Sequence, residues 1–349
     1  MKRLSISLDD LAARGNLLRA TWKAARGKQH RPSVAHWLAG LDDKLADLAT
    51  RIREGRAPVG GLRRFRIQDP KPREISVHGF ADRVLHHAIF NLAEARLERS
   101  LVDSSFACRP GKGVHAAVQS VQQHLQRHAW CVQVDVASYF AQIDHALLMD
   151  LLSRRFKGDG FLALLQRIVE SGAEPGAGRG LPIGALTSRH FANAYLDAAD
   201  RWLLEHPVVR GHVRYMDDIV WWCDGPAEAR QLLADFTDQL WHTRRLRLNP
   251  NAHSGPCDRG LRFCGFRVKP GVVLASARKL SRFRQAARVL QRFKDSAPGG
   301  GAPWDEGGDS AIQQQCLLQR AHDNLLATVA HTQTLHFRQR LWARLQSSA

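Results

Sequence analysis

Asp217 and Asp218 stand side by side in the stretch Val213-Arg214-Tyr215-Met216-Asp217-Asp218-Ile219-Val220-Trp221-Trp222. Apolar, partly β-branched runs flank the pair. That pattern predicts a strand, a two-residue turn and a returning strand, with both acids held at one end of the hairpin. Two carboxylates on a tight turn cannot both enter a core unpaired, because desolvating an unpaired charge costs too much. They call for solvent or a cation. Hard oxygen donors favour Mg²⁺, usually held by one or two carboxylates together with substrate phosphates. A bare Asp-Asp pair is equally what a solvated turn looks like, so the metal reading depends on a third acid. Asp135 supplies it, at the end of the buried-type strand Trp130-Cys131-Val132-Gln133-Val134-Asp135-Val136. Three carboxylates converging on one sheet edge would carry about two Mg²⁺ ions, the arrangement that serves in-line displacement at phosphorus. Asp144 precedes a helical pattern and reads as an N-cap.

The surrounding elements must bring these acids together. Helical spacing runs over residues 6 to 26, with Ser7 as a cap and Gly27 as a stop, and again over 33 to 55, with Ser33 as a cap. Phe65 to Val77 alternates apolar and polar around Asp69-Pro70-Lys71-Pro72 and predicts a β-hairpin. A helix over 81–98 follows, then a short strand at Phe106, a basic glycine turn at Gly111-Lys112-Gly113 and a helix over 114–128. After the Asp135 strand come helices near 145–155 and 160–170, a glycine-rich loop at 171–180 and a helix over about 186–205. Beyond the acidic hairpin lie a helix over 226–245 and an apolar strand around 261–268. The order predicts an α+β fold: an antiparallel sheet with helices on one face. From 278 to 294 a helix is studded with Arg278, Lys279, Arg282, Arg284, Arg288, Arg292 and Lys294. Residues 296–310 read as a flexible linker, and a last helical region runs from about 311 to 346.

The chain has 349 residues, enough for two or three structural units. Its 51 Lys+Arg against 33 Asp+Glu give a net charge of +18, which points to a polyanionic partner, nucleic acid first. The six cysteines form no Cys-x-x-Cys pair, which disfavours a zinc knuckle or redox motif and suggests buried thiols of an intracellular protein. No apolar run approaches membrane-spanning length and no signal peptide is evident, so the expectation is a cytoplasmic protein without a membrane partner.

Taken together, the motifs resemble those of a bacterial reverse transcriptase. Residues 134–145, opening on Val134-Asp135-Val136-Ala137-Ser138-Tyr139-Phe140, resemble the family's first metal motif and Tyr215-Met216-Asp217-Asp218 its second. Residues 180–193, opening on Gly180-Leu181-Pro182-Ile183-Gly184, resemble the template and nucleotide motif, and Phe263-Cys264-Gly265-Phe266 the primer grip. Residues 69–76 and 108–115 resemble the finger motifs. The resemblance runs from roughly 60 to 270. It implies a right-hand polymerase architecture: an N-terminal helical extension (1–58), fingers (59–128), a palm (129–270, with interleaved finger helices at about 145–180) and a helical thumb (271–349). It implies RNA-directed DNA polymerase activity with Asp135, Asp217 and Asp218 as catalytic metal ligands, Val136 as a further metal-site position, and two Mg²⁺ ions for which Mn²⁺ could substitute. Lys71, Arg73 and Arg109 would grip the incoming dNTP, with Phe140 as ribose gate and Ile183 and Gly184 beside it. Phe263 and Gly265 would form the primer grip, and Arg278, Lys279, Arg282 and Arg284 would follow the template–primer backbone. The implied partners are template RNA, the RNA/DNA hybrid, dNTPs and a small basic accessory protein.

Within the family the sequence most resembles the reverse transcriptases of diversity-generating retroelements. Ile183 stands where retroviral enzymes carry glutamine, and in this group an aliphatic residue there accompanies errors opposite template adenine. The other reading of Ile183 is a core residue of its loop. Ser188-Arg189 departs from the group's usual Ser-Gln. The chain lacks the Val-Thr-Gly signature of retron enzymes, and it has no Cys/His-rich endonuclease segment of the intron type after the thumb. A defence-associated reverse transcriptase acting against phage and a non-catalytic RNA-binding scaffold are the alternatives.

Overall fold

The computed structural model describes residues 2–68, 72–172, 176–296 and 308–330, together with 332, 339–341 and 343. Its centre follows from period-two alternation in the strand Asp218–Cys223. Ile219, Trp221 and Cys223 enter one hydrophobic cluster, while Val220 and Trp222 enter another on the opposite face. The neighbouring strand Trp130–Asp135 divides the same way, with Val132 and Val134 on the first face and Cys131 on the second. Four antiparallel strands make this sheet, in the order Gly211–Tyr215, Asp218–Cys223, Trp130–Asp135, His253–Pro256.

Both faces of the sheet are covered, where the sequence pointed to one. The larger core takes Leu203 of the helix Asp197–Glu205 and Leu232, Phe236 and Leu240 of the helix Pro226–Arg244. The other face is closed by Val118, Val121 and Leu125 of the helix Val114–Arg127. Phe263, Phe266 and Val268 join them from a small antiparallel sheet of Leu261–Phe263, Phe266–Lys269 and Val272–Ala275. A sheet made of side chains as large as adjacent tryptophans has apolar area on both faces and cannot leave either in water.

The periphery is mostly as the periodicity predicts, with local differences. Ser7 caps the helix Leu8–Ala12 in a reciprocal capping box with Asp10. The first helical stretch breaks at Ala13 and resumes over Arg14–Ala25, and the second splits at Gly40 into Pro32–Ala39 and Leu41–Arg53. Arg31 rather than Ser33 stands at the N-cap there, because Pro32 takes the first helical position. The predicted hairpin is Leu62–Gln68 paired antiparallel with Pro72–His78. The predicted strand at Phe106 reduces to one parallel bridge, Ser105 to Arg214. The apolar segment around 261–268 is two strands joined at Cys264 and Gly265, both with positive φ. The basic helix is Ala277–Ser296, and it packs against the helix Gly308–Ala330 through Phe283, Ala287 and Val329. Most of the expected linker, 297–307, lies outside the described residues. Among the described residues no helix is long and apolar enough to cross a membrane.

Candidate active site

The acidic hairpin turns on Met216 and Asp217, one residue earlier than the two acids themselves. Tyr215 pairs with Asp218, so Asp218 is the first residue of the returning strand. Met216 takes φ 58°, the left-handed conformation that a tight hairpin demands. For a residue with a Cβ that conformation costs about 1–2 kcal/mol. The register then sets Asp218 directly opposite Asp135 across the antiparallel ladder. Asp217 is held beside them, its carbonyl accepting the N–H of Val136 at 3.3 Å. Directly opposed residues have Cβ atoms about 4.5–5.5 Å apart, and like charges so placed repel.

That repulsion is visible in the electrostatics. Burial pushes the Asp218 carboxyl up to about 7; Asp135 and Asp217 push the same way, and a hydrogen bond from Gln133 only partly offsets them. Gln133 Nε2 donates to Asp218 Oδ1 at 2.7 Å and also to the carbonyl of Arg262 at 2.9 Å, tying the acid to the strand before Cys264. On the other side Asn249 Nδ2 donates to Asp135 Oδ2, and its backbone N–H to the Asp135 carbonyl at 2.8 Å. Asp135 is exposed while Asp217 and Asp218 are half-buried. An all-oxygen, all-anionic donor set with excess negative charge and an open side is chemistry that suits hard divalent cations such as Mg²⁺. Asp135, Asp217 and Asp218 would hold them.

The turn itself rests on a buried ion pair that sequence reasoning missed. Arg214, fully buried in the preceding strand, donates from Nε and Nη2 to both oxygens of Asp200, at 2.7–2.8 Å. Its Nη1 donates to Asn193 Oδ1 at 2.7 Å and to the Met216 carbonyl at 3.0 Å. One guanidinium thus fixes the turn backbone to the helices Leu186–Tyr195 and Asp197–Glu205. The available signal was an arginine inside an otherwise apolar strand, which in a core requires a carboxylate partner.

The remaining site residues divide. Phe140 is half-buried against Tyr139, and its carbonyl accepts the N–H of Leu181 at 2.8 Å, so it lies next to the loop 181–184. Ile183 is 40% exposed, which rules out its reading as a core residue. Its carbonyl accepts from Ser76 N at 2.9 Å, joining the loop to the hairpin strand Pro72–His78. Gly184 has φ +117°, a conformation open to glycine. Below the loop, a Cβ on Gly172 would meet Pro182 Cδ at 2.2 Å, so only glycine lets the two segments touch. Arg189 is exposed and near enough to Cys108 and Tyr215 to offset part of the burial that raises both groups.

Arg109 is engaged within the chain. Its side chain is nearly buried, with Nε on Glu98 at 2.6 Å and Nη1 on the carbonyls of Val102 and Ser105. The guanidinium fastens the 98–109 segment to itself. Lys112 likewise pairs with Asp103 at 2.6 Å. Arg73 pairs with Ile67 in the hairpin ladder, while Lys71 lies outside the described residues. Phe263 is buried, and Gly265, at φ +75°, leaves room for Lys279, whose Nζ sits 3.5 Å from the Phe266 ring centre. Asp217 and Asp218 both act on the Cys264 thiol, which burial raises most of all, so the turn at Cys264 and Gly265 adjoins the acids. Arg278, Arg282 and Arg284 are exposed on the following helix.

The profile of the reverse transcriptase (RNA-dependent DNA polymerase) family matches residues 67–267, more than half of the chain. The chain belongs to that family, with a mixed helix and antiparallel-sheet domain of the right-hand polymerase type. Protein YkfC of Escherichia coli is 29% identical over 145 residues, covering 39% of this chain and 38% of YkfC. The group II intron-encoded protein LtrA of Lactococcus lactis is 23% identical over 172 residues, covering 47% of this chain and 29% of LtrA. The chain therefore matches less than half the length of these relatives. A solved telomerase of Candida albicans, in complex with a fragment of telomeric RNA, is 9% identical, with a TM-score of 0.45 over 89% of this chain and 64% of that one.

Proposed function

We propose that this chain is an RNA-directed DNA polymerase that extends a DNA primer along an RNA template. The observation that carries the reading is the register pair Asp135–Asp218 with Asp217 on the adjoining turn. Divalent cations, when bound there, would stabilise the attacking 3′-oxygen and the leaving pyrophosphate of an in-line displacement. The chain's own contribution is placement. Gln133 and Asn249 orient two of the carboxylates, and Arg214 holds the turn that carries the third. Phe140 supplies an apolar wall where a deoxyribose would lie. The exposed arginines of Ala277–Ser296 face solvent beside the primer-grip turn, where a nucleic-acid backbone would run. In this reading residues 59–128 serve as fingers, 129–270 as palm and the helices after 271 as thumb.

We further infer that copying is error-prone opposite template adenine, as in diversity-generating retroelements. Exposed Ile183 has no side-chain donor or acceptor and can sense only shape. Glutamine there could add one hydrogen bond, worth about 0.5–1.5 kcal/mol, or a few-fold to tenfold in discrimination. The test is primer extension with dNTPs and Mg²⁺ on an adenine-rich RNA, with products sequenced. Wild type should incorporate, Asp217→Ala should not, and Ile183→Gln should make several-fold fewer errors opposite adenine. Errors spread evenly over the four template bases would remove the retroelement reading and favour a defence-associated enzyme. RNA binding without any incorporation would leave a scaffold.

A further inference from the structure

A second group of ligand-type side chains lies where the strand Pro72–His78 runs into the helix Phe80–Glu98. His78 closes the strand, and Asp82 and His86 follow at four-residue steps, which sets the latter two one turn apart on one helix face. Exposure is 6% for His78 and 3% for both Asp82 and His86. Among the described residues this is the group of His, Cys, Asp and Glu side chains whose ligand atoms all lie within 4.8 Å of one another. Asp82 Oδ1 is 3.1 Å from His86 Nε2, and Oδ2 is 3.7 Å from His78 Nε2. Yet neither carboxylate oxygen has a hydrogen-bond partner. The rings approach at ion-pair distance without the alignment of a donor. A buried carboxylate in that condition is costly unless something else satisfies it.

A metal ion accounts for each of these observations. Ligand atoms about 2.0–2.1 Å from a tetrahedral centre stand roughly 3.3 Å apart; Asp82 Oδ1 and His86 Nε2 are close to that spacing, and one ligand atom from each of the three residues lies within 4.8 Å of the others. The outer contact is also in place: Thr187 Oγ1 lies 2.9 Å from His86 Nδ1. With Nε2 on the ion, Nδ1–H donates to that hydroxyl, the partner that fixes a ligating imidazole's tautomer. Two imidazoles and one carboxylate suit a borderline first-row cation and disfavour Mg²⁺. We propose that His78, Asp82 and His86 form a zinc site, with water as fourth ligand, that fastens the hairpin Leu62–Gln68/Pro72–His78 to the helix Phe80–Glu98. Ser76 and Thr187 connect the same point to the loop carrying Ile183, so the site would also steady that loop.

Elemental analysis of the full chain, purified without chelator or metal resin, should find about one zinc per chain. Asp82→Asn and His86→Gln, which preserve volume, should lose it, whereas Asp217→Ala should keep it. Independently of any variant's folding, wild type stripped by chelator and titrated with Co²⁺ should saturate at about one equivalent. That complex should show the visible absorption of tetrahedral cobalt, be bleached by Zn²⁺ and be untouched by excess Mg²⁺. Absence of both zinc and the cobalt band would overturn the proposal and leave a histidine–aspartate packing cluster. Zinc retained by Asp82→Asn, or iron in its place, would overturn it equally.

Discussion

Replacing Arg214 by methionine tests whether one buried charge holds the acidic turn. Arg214 and Asp200 both have no exposed side-chain surface, and His212 Nε2 lies 3.3 Å from the acid. Removing one partner of such a pair leaves an uncompensated buried charge and costs about 3–5 kcal/mol. That is a large part of a total stability of about 5–15 kcal/mol. The pH dependence gives a sharper check. Burial pushes Asp200 upward, but Arg214 and His212 outweigh it, so its folded pKa lies below the ordinary carboxylate value. A depressed pKa contributes stability above the unfolded value, near pH 4, and that contribution is lost as pH falls through the folded value. Without Arg214, burial acts with little opposition and the folded pKa rises above the unfolded one. Folding then takes up a proton, and the variant gains relative stability on acidification. Urea midpoints of wild type, Arg214→Met and the double variant Arg214→Met/Asp200→Asn, measured at pH 7 and pH 4, decide it. The single variant should lose about 3–5 kcal/mol at pH 7, the double variant less, and the gap to wild type should narrow at pH 4. A loss under about 1 kcal/mol, or a gap that does not depend on pH, would refute the reasoning.

Asp135→Ala and Asp217→Ala should each abolish nucleotide incorporation, a loss of several kcal/mol of transition-state stabilisation. Their thermal midpoints should move by only a few degrees, since neither side chain is part of the core; substantial residual activity would remove that residue from the site. Phe140→Ala should admit rNTPs while sparing much of the dNTP activity, and an unchanged rNTP/dNTP ratio would make Phe140 a packing residue. Arg282→Glu and Arg284→Glu should weaken RNA/DNA binding for all sequences alike and flatten its salt dependence by about one unit of slope for each phosphate no longer neutralised. Lost sequence preference with the slope intact would mean the helix reads bases.

What the sequence determined by itself is the set of elements and the chemistry they carry. The apolar, partly β-branched runs on either side of Asp217 and Asp218 specified strands whatever their neighbours, and three acids at strand ends pointed to a cation site. The charge of +18 pointed to a polyanionic partner. These are local signals, written in residue type and spacing. Partners of long polar side chains are not local, and the tertiary structure alone decided them. Arg109 and Arg214 look alike as arginines beside apolar runs. One closes on Glu98 and loop carbonyls and the other on Asp200, because each carbonyl or carboxylate left without water had to find a donor. Gln133 reaches Arg262, and Asn249 reaches Asp135, across more than a hundred residues of chain. Ile183, apolar by type, stays in solvent because Pro182 and Gly172 fill the space beneath its loop. Register, too, was settled only in three dimensions. The hairpin could have placed both acids in its turn, but pairing Tyr215 with Asp218 moved one of them onto the strand, face to face with Asp135. A shift of one residue would have sent Trp221 and Trp222 to the wrong cores, and burying those two rings is what fixes the acids where they are.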